Sequence, residues 1–254
     1  MSEHGKTIAA TGNSLDIVHL IESREGARLS EIARRLDLSK STVHSHLTTL
    51  RKYGYVTKEG EIYHLSLKFF HLGQYTRNRN VRYRLAAEKT RELAEQLNHS
   101  IDFDVETNGQ MLTLFHEADE SAEVGLDEGD YLYVHTSSTG KAVLAELPEE
   151  RIAVILDQWG MPRETDNTLT EPAELATELE RIRERGFAIV NQEWLEGLRA
   201  VGVAVTLPDG RPFGGLSAGG PTYRLTDETI QTEIAPTLLR AAKELEEEVG
   251  GVVA

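Results

Sequence analysis

Lys40, Ser41, Thr42, His44, Ser45 and Thr49 fall within ten consecutive positions and together offer hydroxyls, an imidazole and one cation. Presented by a helix that enters the major groove, such side chains can exchange hydrogen bonds with the edges of DNA bases. They need a helix that turns them outward. Val43, Leu47 and Leu50 supply it, because their spacing sets a single apolar stripe opposite the polar set. Ser39 stands where a helix N-cap is wanted. Upstream, Ile32, Ala33 and Leu36 recur at helical spacing behind Ser30, a second candidate N-cap, so Ser30 to Val56 reads as two short helices around a tight turn. No acidic residue occurs from Leu38 to Val56. An ordinary helical hairpin with a solvated face would share this periodicity; the segment that follows favours recognition.

Tyr55 to Leu65 contains two short alternating runs around Lys58, Glu59, Gly60 and Glu61, which reads as a β-hairpin. In that place a hairpin is the wing of a winged helix-turn-helix, and its tip lies along the phosphate backbone. Two carboxylates beside Lys58 make a poor phosphate clamp, so the wing should add little affinity. Arg51 and Lys52 join Lys58 as candidates for phosphate contact. His44 and His46 are two apart on the helix and cannot form a metal pair.

Charge supports the same assignment independently of any motif. Residues 1 to 80 carry a net +4 and residues 81 to 254 a net −19, within a total of −15. Only the N-terminal part should approach a polyanion. The chain contains 8 Lys, 19 Arg and 31 Glu, a composition suited to a salt-adapted surface and a halophilic source. Near 1 M salt the Debye length is about 3 Å, so base contacts must carry more of the recognition than phosphate neutralisation. The 254 residues accommodate a small module at 1–72, a linker helix or connector at 73–84, and a larger domain at 85–254. The start, MSEHGKTIAATGNS, is polar and no long apolar run occurs, so a cytoplasmic protein without a membrane segment is expected. Cysteine is absent, which excludes disulfides, thiolate zinc sites and cysteine nucleophiles.

The elements of the larger part are legible from period and turn residues. Ser66 to Gly73 reads as a short helix ending at Gly73, and Gln74 to Arg84 as a polar connector. Leu85, Ala86, Leu93, Ala94 and Leu97 form a helical stripe. Asp102 to Val105 and Met111 to His116 flank Asn108 and Gly109, a pair suited to a tight hairpin turn. An apolar run follows from Tyr131 to His135, then helical patterns at Thr139 to Leu147, Glu149 to Trp159 and Glu171 to Arg185. Strands at Phe187 to Asn191, Leu198 to Thr206 and Pro212 to Ala218 precede a last helix, capped by Thr226 and reaching about Val249. The pattern is α+β, with a mixed sheet and with hairpins and helices segregated.

Two places in this part can hold a ligand. His135 to Ala142 fails the phosphate-loop pattern at its first glycine and its last hydroxyl. It leaves a hydroxyl-rich strand-to-helix turn able to hold a small anion, or else one where Ser138 or Thr139 simply caps the helix. Glycines 197, 214, 215, 219 and 220 bring backbone close to backbone or to a ligand, with Ser217 between Leu216 and Ala218. Glu193 is either a ligand contact or a surface carboxylate. An enzyme with an appended DNA-binding module, using Glu193 with His99, His116 or His135, is the competing class. No nucleophile elbow, metal-ligand spacing or dinucleotide fingerprint supports it, and neither metal nor cofactor is expected.

SLDIVHLI, LSEIARRLDLSKSTVHSHLTTLRKYGYV, STGKAVLAELPEE, ELERIRERGFAIVNQEW and FGGLSAGGP occur in this order. With them the chain resembles the IclR family of transcription regulators from about Ser14 onward, and with its composition a haloarchaeal member. The resemblance implies a winged helix-turn-helix, a linker helix used in dimerisation and a GAF-like effector domain. It further implies a homodimer or homotetramer on a pseudo-palindromic double-stranded DNA operator, controlling genes for sugar, sugar-acid or other organic-acid catabolism through a small-molecule effector. Carried over by position, the effector pocket falls at Ser138, Thr139, Val190, Leu198, Ala200, Ser217 and Gly219, with Gly140 and Glu193 as neighbouring candidates. Val190, Ala200 and Gly219 stand where better-known members have an aspartate, a cysteine and a serine, which argues against a keto acid held in the same way. The hydroxyls of Ser138, Thr139 and Ser217 instead suit a hydroxylated or anionic metabolite. Ser45 stands where many members have arginine, so the operator is read differently. A metabolite sensor acting through a protein partner is the remaining alternative.

Overall fold

The structure, a computed structural model, describes residues 7–118 and 125–252; the first six residues of the polar start lie outside them. The chain divides into two compact units at Arg79 and Asn80.

The first unit contains α1 (Ala9–Ser23), β1 (Ala27–Arg28), α2 (Leu29–Arg35), α3 (Lys40–Lys52), β2 (Val56–Glu59), β3 (Ile62–Leu65) and α4 (Lys68–Asn78). Ile17 and Ile21, Ile32 and Ala33, and Val43 and Leu47 bring the first three helices to one core that Val56 and Tyr63 close. Between α2 and α3, Asp37 takes a left-handed φ of 51°, and the Leu38 amide donates to the Ala33 carbonyl at 3.0 Å. Ser39 Oγ caps α3 by accepting from the Thr42 amide at 3.1 Å. A Ser39→Ala variant is therefore expected to lose about 1 kcal/mol of stability, read by thermal unfolding.

Strands β2 and β3 pair antiparallel around Gly60 and Glu61, and Gly60 supplies the positive φ that so tight a turn requires. The third strand, β1, pairs with β3, and it corrects the expected start of α2. Arg28 leaves that ladder straight into Leu29, so Arg28 occupies the N-cap and Ser30 caps nothing. The helix α4 also differs from expectation. It runs through Gly73 to Asn78, because Gly73 keeps an ordinary φ and Thr76 and Asn78 bond back to Leu72 and Gln74. The stretch 73–84 thus holds the end of α4, a short break and the start of α5 (Arg82–Leu97).

After α5 come β4 (Ser100–Thr107), β5 (Gln110–Glu117), β6 (Tyr131–Tyr133), α6 (Ser138–Ala145), α7 (Glu149–Trp159) and α8 (Pro172–Arg185). They are followed by β7 (Ala188–Asn191), β8 (Leu198–Thr206), β9 (Pro212–Pro221), α9 (Asp227–Thr229), a π-helical turn at Ile230–Ile234, and α10 (Ala235–Gly251). The sheet order is β6-β5-β4-β9-β8-β7. Every ladder is antiparallel rather than mixed; the tight turns after β4 and β8 reverse the chain directly. Ile101, Phe103 and Val105 face α5 and α10. Met111 and Leu132 lie on the other side with α6, α7 and α8, so the helices cover both faces. The π turn has a local cause: Pro236 can neither donate to nor approach the carbonyl of Thr232, and the helix widens ahead of it.

Candidate functional site

On α3, Lys40, Ser41, His44, Ser45 and Thr49 are exposed and Thr42 is half-buried. Ser45 Oγ donates to the Ser41 carbonyl at 3.0 Å and Thr49 Oγ1 to the Ser45 carbonyl at 2.9 Å. Their hydroxyl protons are thereby committed, and the oxygens remain as acceptors, suited to the amino groups of adenine or cytosine. Lys40 remains a donor. His46 points inward, with Nδ1 2.8 Å from Ser14 Oγ. Behind the reading face an open cleft between α3 and β2 is lined by Thr48, Arg51, Lys52, Val56, Thr57 and Lys58. Three cations therefore share one concave surface, the shape and charge that a phosphate group requires, although Lys58 is partly offset by Glu61 at 3.2 Å.

In the second unit Ser138, Thr139, Val190, Leu198, Ala200, Ser217 and Gly219 line one cavity of about 40 Å³, room for two or three waters. Gly140 and Glu193 do not line it. Asp102, Asp104, Leu126, Leu132, Thr136, Ser137 and Trp194 do, and sequence reasoning missed them. The alternation Ile101-Asp102-Phe103-Asp104-Val105 held the signal: the three apolar residues face α5 and α10, so the carboxylates must face the opposite, helix-covered side. Ser137, rather than Ser138 or Thr139, caps α6 by accepting from the Gly140 amide at 3.0 Å. Thr139 is thereby left to donate to Asp104 at 2.5 Å. No protein partner takes the Ser138 hydroxyl among the described residues.

Asp102 accepts from His116 Nδ1 at 2.6 Å and from Ser217 Oγ at 3.1 Å, and this carboxylate holds the His116 pKa above its ordinary value. Asp104 is fully buried, and its Oδ1 has no partner. Burial first, and the charge of Asp102 second, push its pKa from 3.8 to about 7 against the hydroxyls of Thr139 and Thr113. A carboxyl raised on folding costs stability that is absent below its unfolded pKa and grows as pH rises toward the folded one. An Asp104→Asn variant is accordingly expected to match the parent near pH 4 and to exceed it by about 1 to 3 kcal/mol at pH 8, measured by urea unfolding across that range.

Residues 73–247 match the family described as "Bacterial transcriptional regulator IclR C-terminal", and residues 10–60 match its helix-turn-helix domain. The chain belongs to the IclR family. A Halobacterium salinarum relative named as the HTH-type transcriptional regulator ArcR is 29% identical over 246 residues, spanning 95% of this chain and 94% of its own. The acetate operon repressor of Salmonella typhimurium is 29% identical over 238 residues, spanning 91% and 86%. The crystal structure of the Thermotoga maritima IclR shares the fold with a TM-score of 0.74 at 24% identity, over 95% of this chain and 97% of that one. IclR proteins are DNA-binding transcription regulators, and α2 and α3 lie within the residues that match the IclR helix-turn-helix domain. No helix among the described residues is long and apolar enough to cross a membrane.

Within this IclR C-terminal domain the two candidates outside the cavity have other tasks. Gly140 lets α6 start against the turn that follows β6, since a Cβ there would stand 2.4 Å from the Val134 carbonyl oxygen. Glu193 is buried and bonded to Lys141, whose side chain is 1% exposed. Burial raises the Glu193 pKa despite that cation. The next residue in the loop is Trp194, which walls the cavity, so the pair fastens that wall to α6.

Proposed function

We propose that this IclR-family chain is a haloarchaeal regulator that binds a pseudo-palindromic operator as a homodimer or homotetramer and responds to a small metabolite. Residues 1–72 read the operator, 73–84 connect, and 85–254 bind the effector and hold the oligomer together. The observation that carries the reading is the exposed polar face of α3 beside a cleft lined by Arg51, Lys52 and Lys58. Lys40, Ser41, Thr42, His44, Ser45 and Thr49 read bases, and the three cations hold phosphates. The Halobacterium relative and the net charge of −15 support a salt-adapted source, and the repressor among the relatives supports control of a catabolic operon.

The effector occupies the cavity lined by Ser138, Thr139 and Ser217. At about 40 Å³ that cavity admits a metabolite only if a wall moves, and this movement is how binding biases the arrangement of the oligomer. A coupling of about 1 to 3 kcal/mol, roughly 5- to 150-fold in operator affinity, is the expected scale.

Gel-shift titrations on operator and mismatched duplexes test the division of labour. Lys40→Ala should lower discrimination at one base position by about 1 to 3 kcal/mol. Arg51→Ala should weaken all duplexes equally and flatten the salt dependence by about one phosphate contact. If the two variants exchange these signatures, the assignment of α3 residues is wrong.

A further inference from the structure

We infer that the ligand of this cavity is a small metabolite bearing a protonated amine, which donates to the free carboxylate oxygen of Asp104. The inference rests on the reading of the cavity as the effector site. Both oxygens of Asp102 are engaged, by His116 and by Ser217, and Asp104 Oδ2 accepts from Thr139. Asp104 Oδ1 makes no hydrogen bond of ordinary geometry, and neither does the hydroxyl of its cross-strand neighbour Thr113, although Asp104 is 2% exposed and lines the cavity. A buried acceptor left without a donor costs free energy that an entering N–H group recovers. Water can occupy the position, but an ammonium brings charge as well as donors. None of the described residues that line the cavity is a cation, and Lys141 on α6 is committed to Glu193. A ligand carboxylate at the polar end would lie against two protein carboxylates, with His116 already bonded to Asp102 and no cation among the lining residues. The rest of the wall, with Leu126, Leu132, Val190, Trp194, Leu198 and Ala200, suits a short aliphatic body. The domain's own net charge of −19 draws cations toward it.

Calorimetric titration of the full chain at fixed salt, with propylamine, 1,4-diaminobutane, β-alanine, 1-propanol and propionate, tests this directly. The amines should bind and propionate should not; β-alanine against propylamine shows whether the ligand also carries a carboxylate. The groups that face Asp104 are Asp102 on its own strand, Thr113 and His116 from β5, and Thr139 from α6. As Asp104 loses its proton the cavity becomes more negative, so amine affinity should rise about tenfold from pH 6 to pH 8. Asp104→Asn should lower amine affinity at least tenfold and abolish most of that pH dependence. Three results each overturn the inference: binding of none of the amines, tighter binding of propionate with affinity rising toward acid pH, or unchanged amine affinity in Asp104→Asn. Operator binding measured on the same preparations separates the two levels. Amine binding that leaves operator affinity unchanged upholds the ligand class and defeats the effector reading.

Discussion

Replacing Glu193 with leucine is expected to lower the stability of the second unit by about 3 to 5 kcal/mol, the range for removing one partner of a buried ion pair. Lys141 is 1% exposed, so the variant leaves an ammonium that water cannot reach. The reciprocal change should be milder. In Lys141→Met the orphaned Glu193 can take a proton, since burial already raises its pKa, and the loss should shrink as pH falls. A Lys141→Met/Glu193→Leu double variant replaces two charges with apolar groups and should recover most of the stability. Urea unfolding of the four proteins at pH 5 and pH 8 gives the complete cycle. Equal losses in both single variants at both values of pH would show that the pair is solvated in solution. The same pair fastens the loop that carries Trp194, so the double variant should also bind and release ligand faster.

Gly202→Ala should cost about 3 kcal/mol, or about 10 °C in Tm for a domain of this size. Gly202 has an ordinary φ, so its importance is one of contact. A Cβ there would lie 2.4 Å from the carbonyl carbon of Ser138 and 2.6 Å from the Thr139 amide nitrogen. Both are backbone atoms, and no rotamer change relieves the overlap. β8 is paired on both sides, so α6 must shift outward, carrying Ser138 and Thr139 away from the cavity. Gly197→Ala is the contrasting case: nothing lies within 4 Å, and its cost comes from a φ of +79° alone.

The contrast between these glycines shows what could be read from sequence. Close approach was expected at 197, 214, 215, 219 and 220. It occurs at Gly214, Gly215 and Gly220 but not at Gly197, whereas Gly219 borders the cavity, and the tightest contacts are at Gly140 and Gly202. Approach of two backbones depends on which helix lies over which strand, a fact that no local pattern records. Local features were legible for the opposite reason. The stripe of Val43 and Leu47, the Ser39 cap and the Asn108-Gly109 turn each depend on a few adjacent residues. Ser30 failed as a cap because β1 pairs with the distant β3. Asp102 and Asp104 escaped notice because a strand's polar face normally meets solvent, and here α6 covers it.

Footprinting of the full chain on the DNA upstream of its own coding sequence, across a range of salt concentrations, tests the central claim most directly. Two protected half-sites should appear, related by a pseudo-twofold axis and spaced by about one helical turn or a multiple of it. Protection should persist at high salt if α3 recognises the operator through base contacts, since the wing carries two carboxylates beside Lys58. Absence of protection at every salt concentration, with the protein folded, would contradict the account.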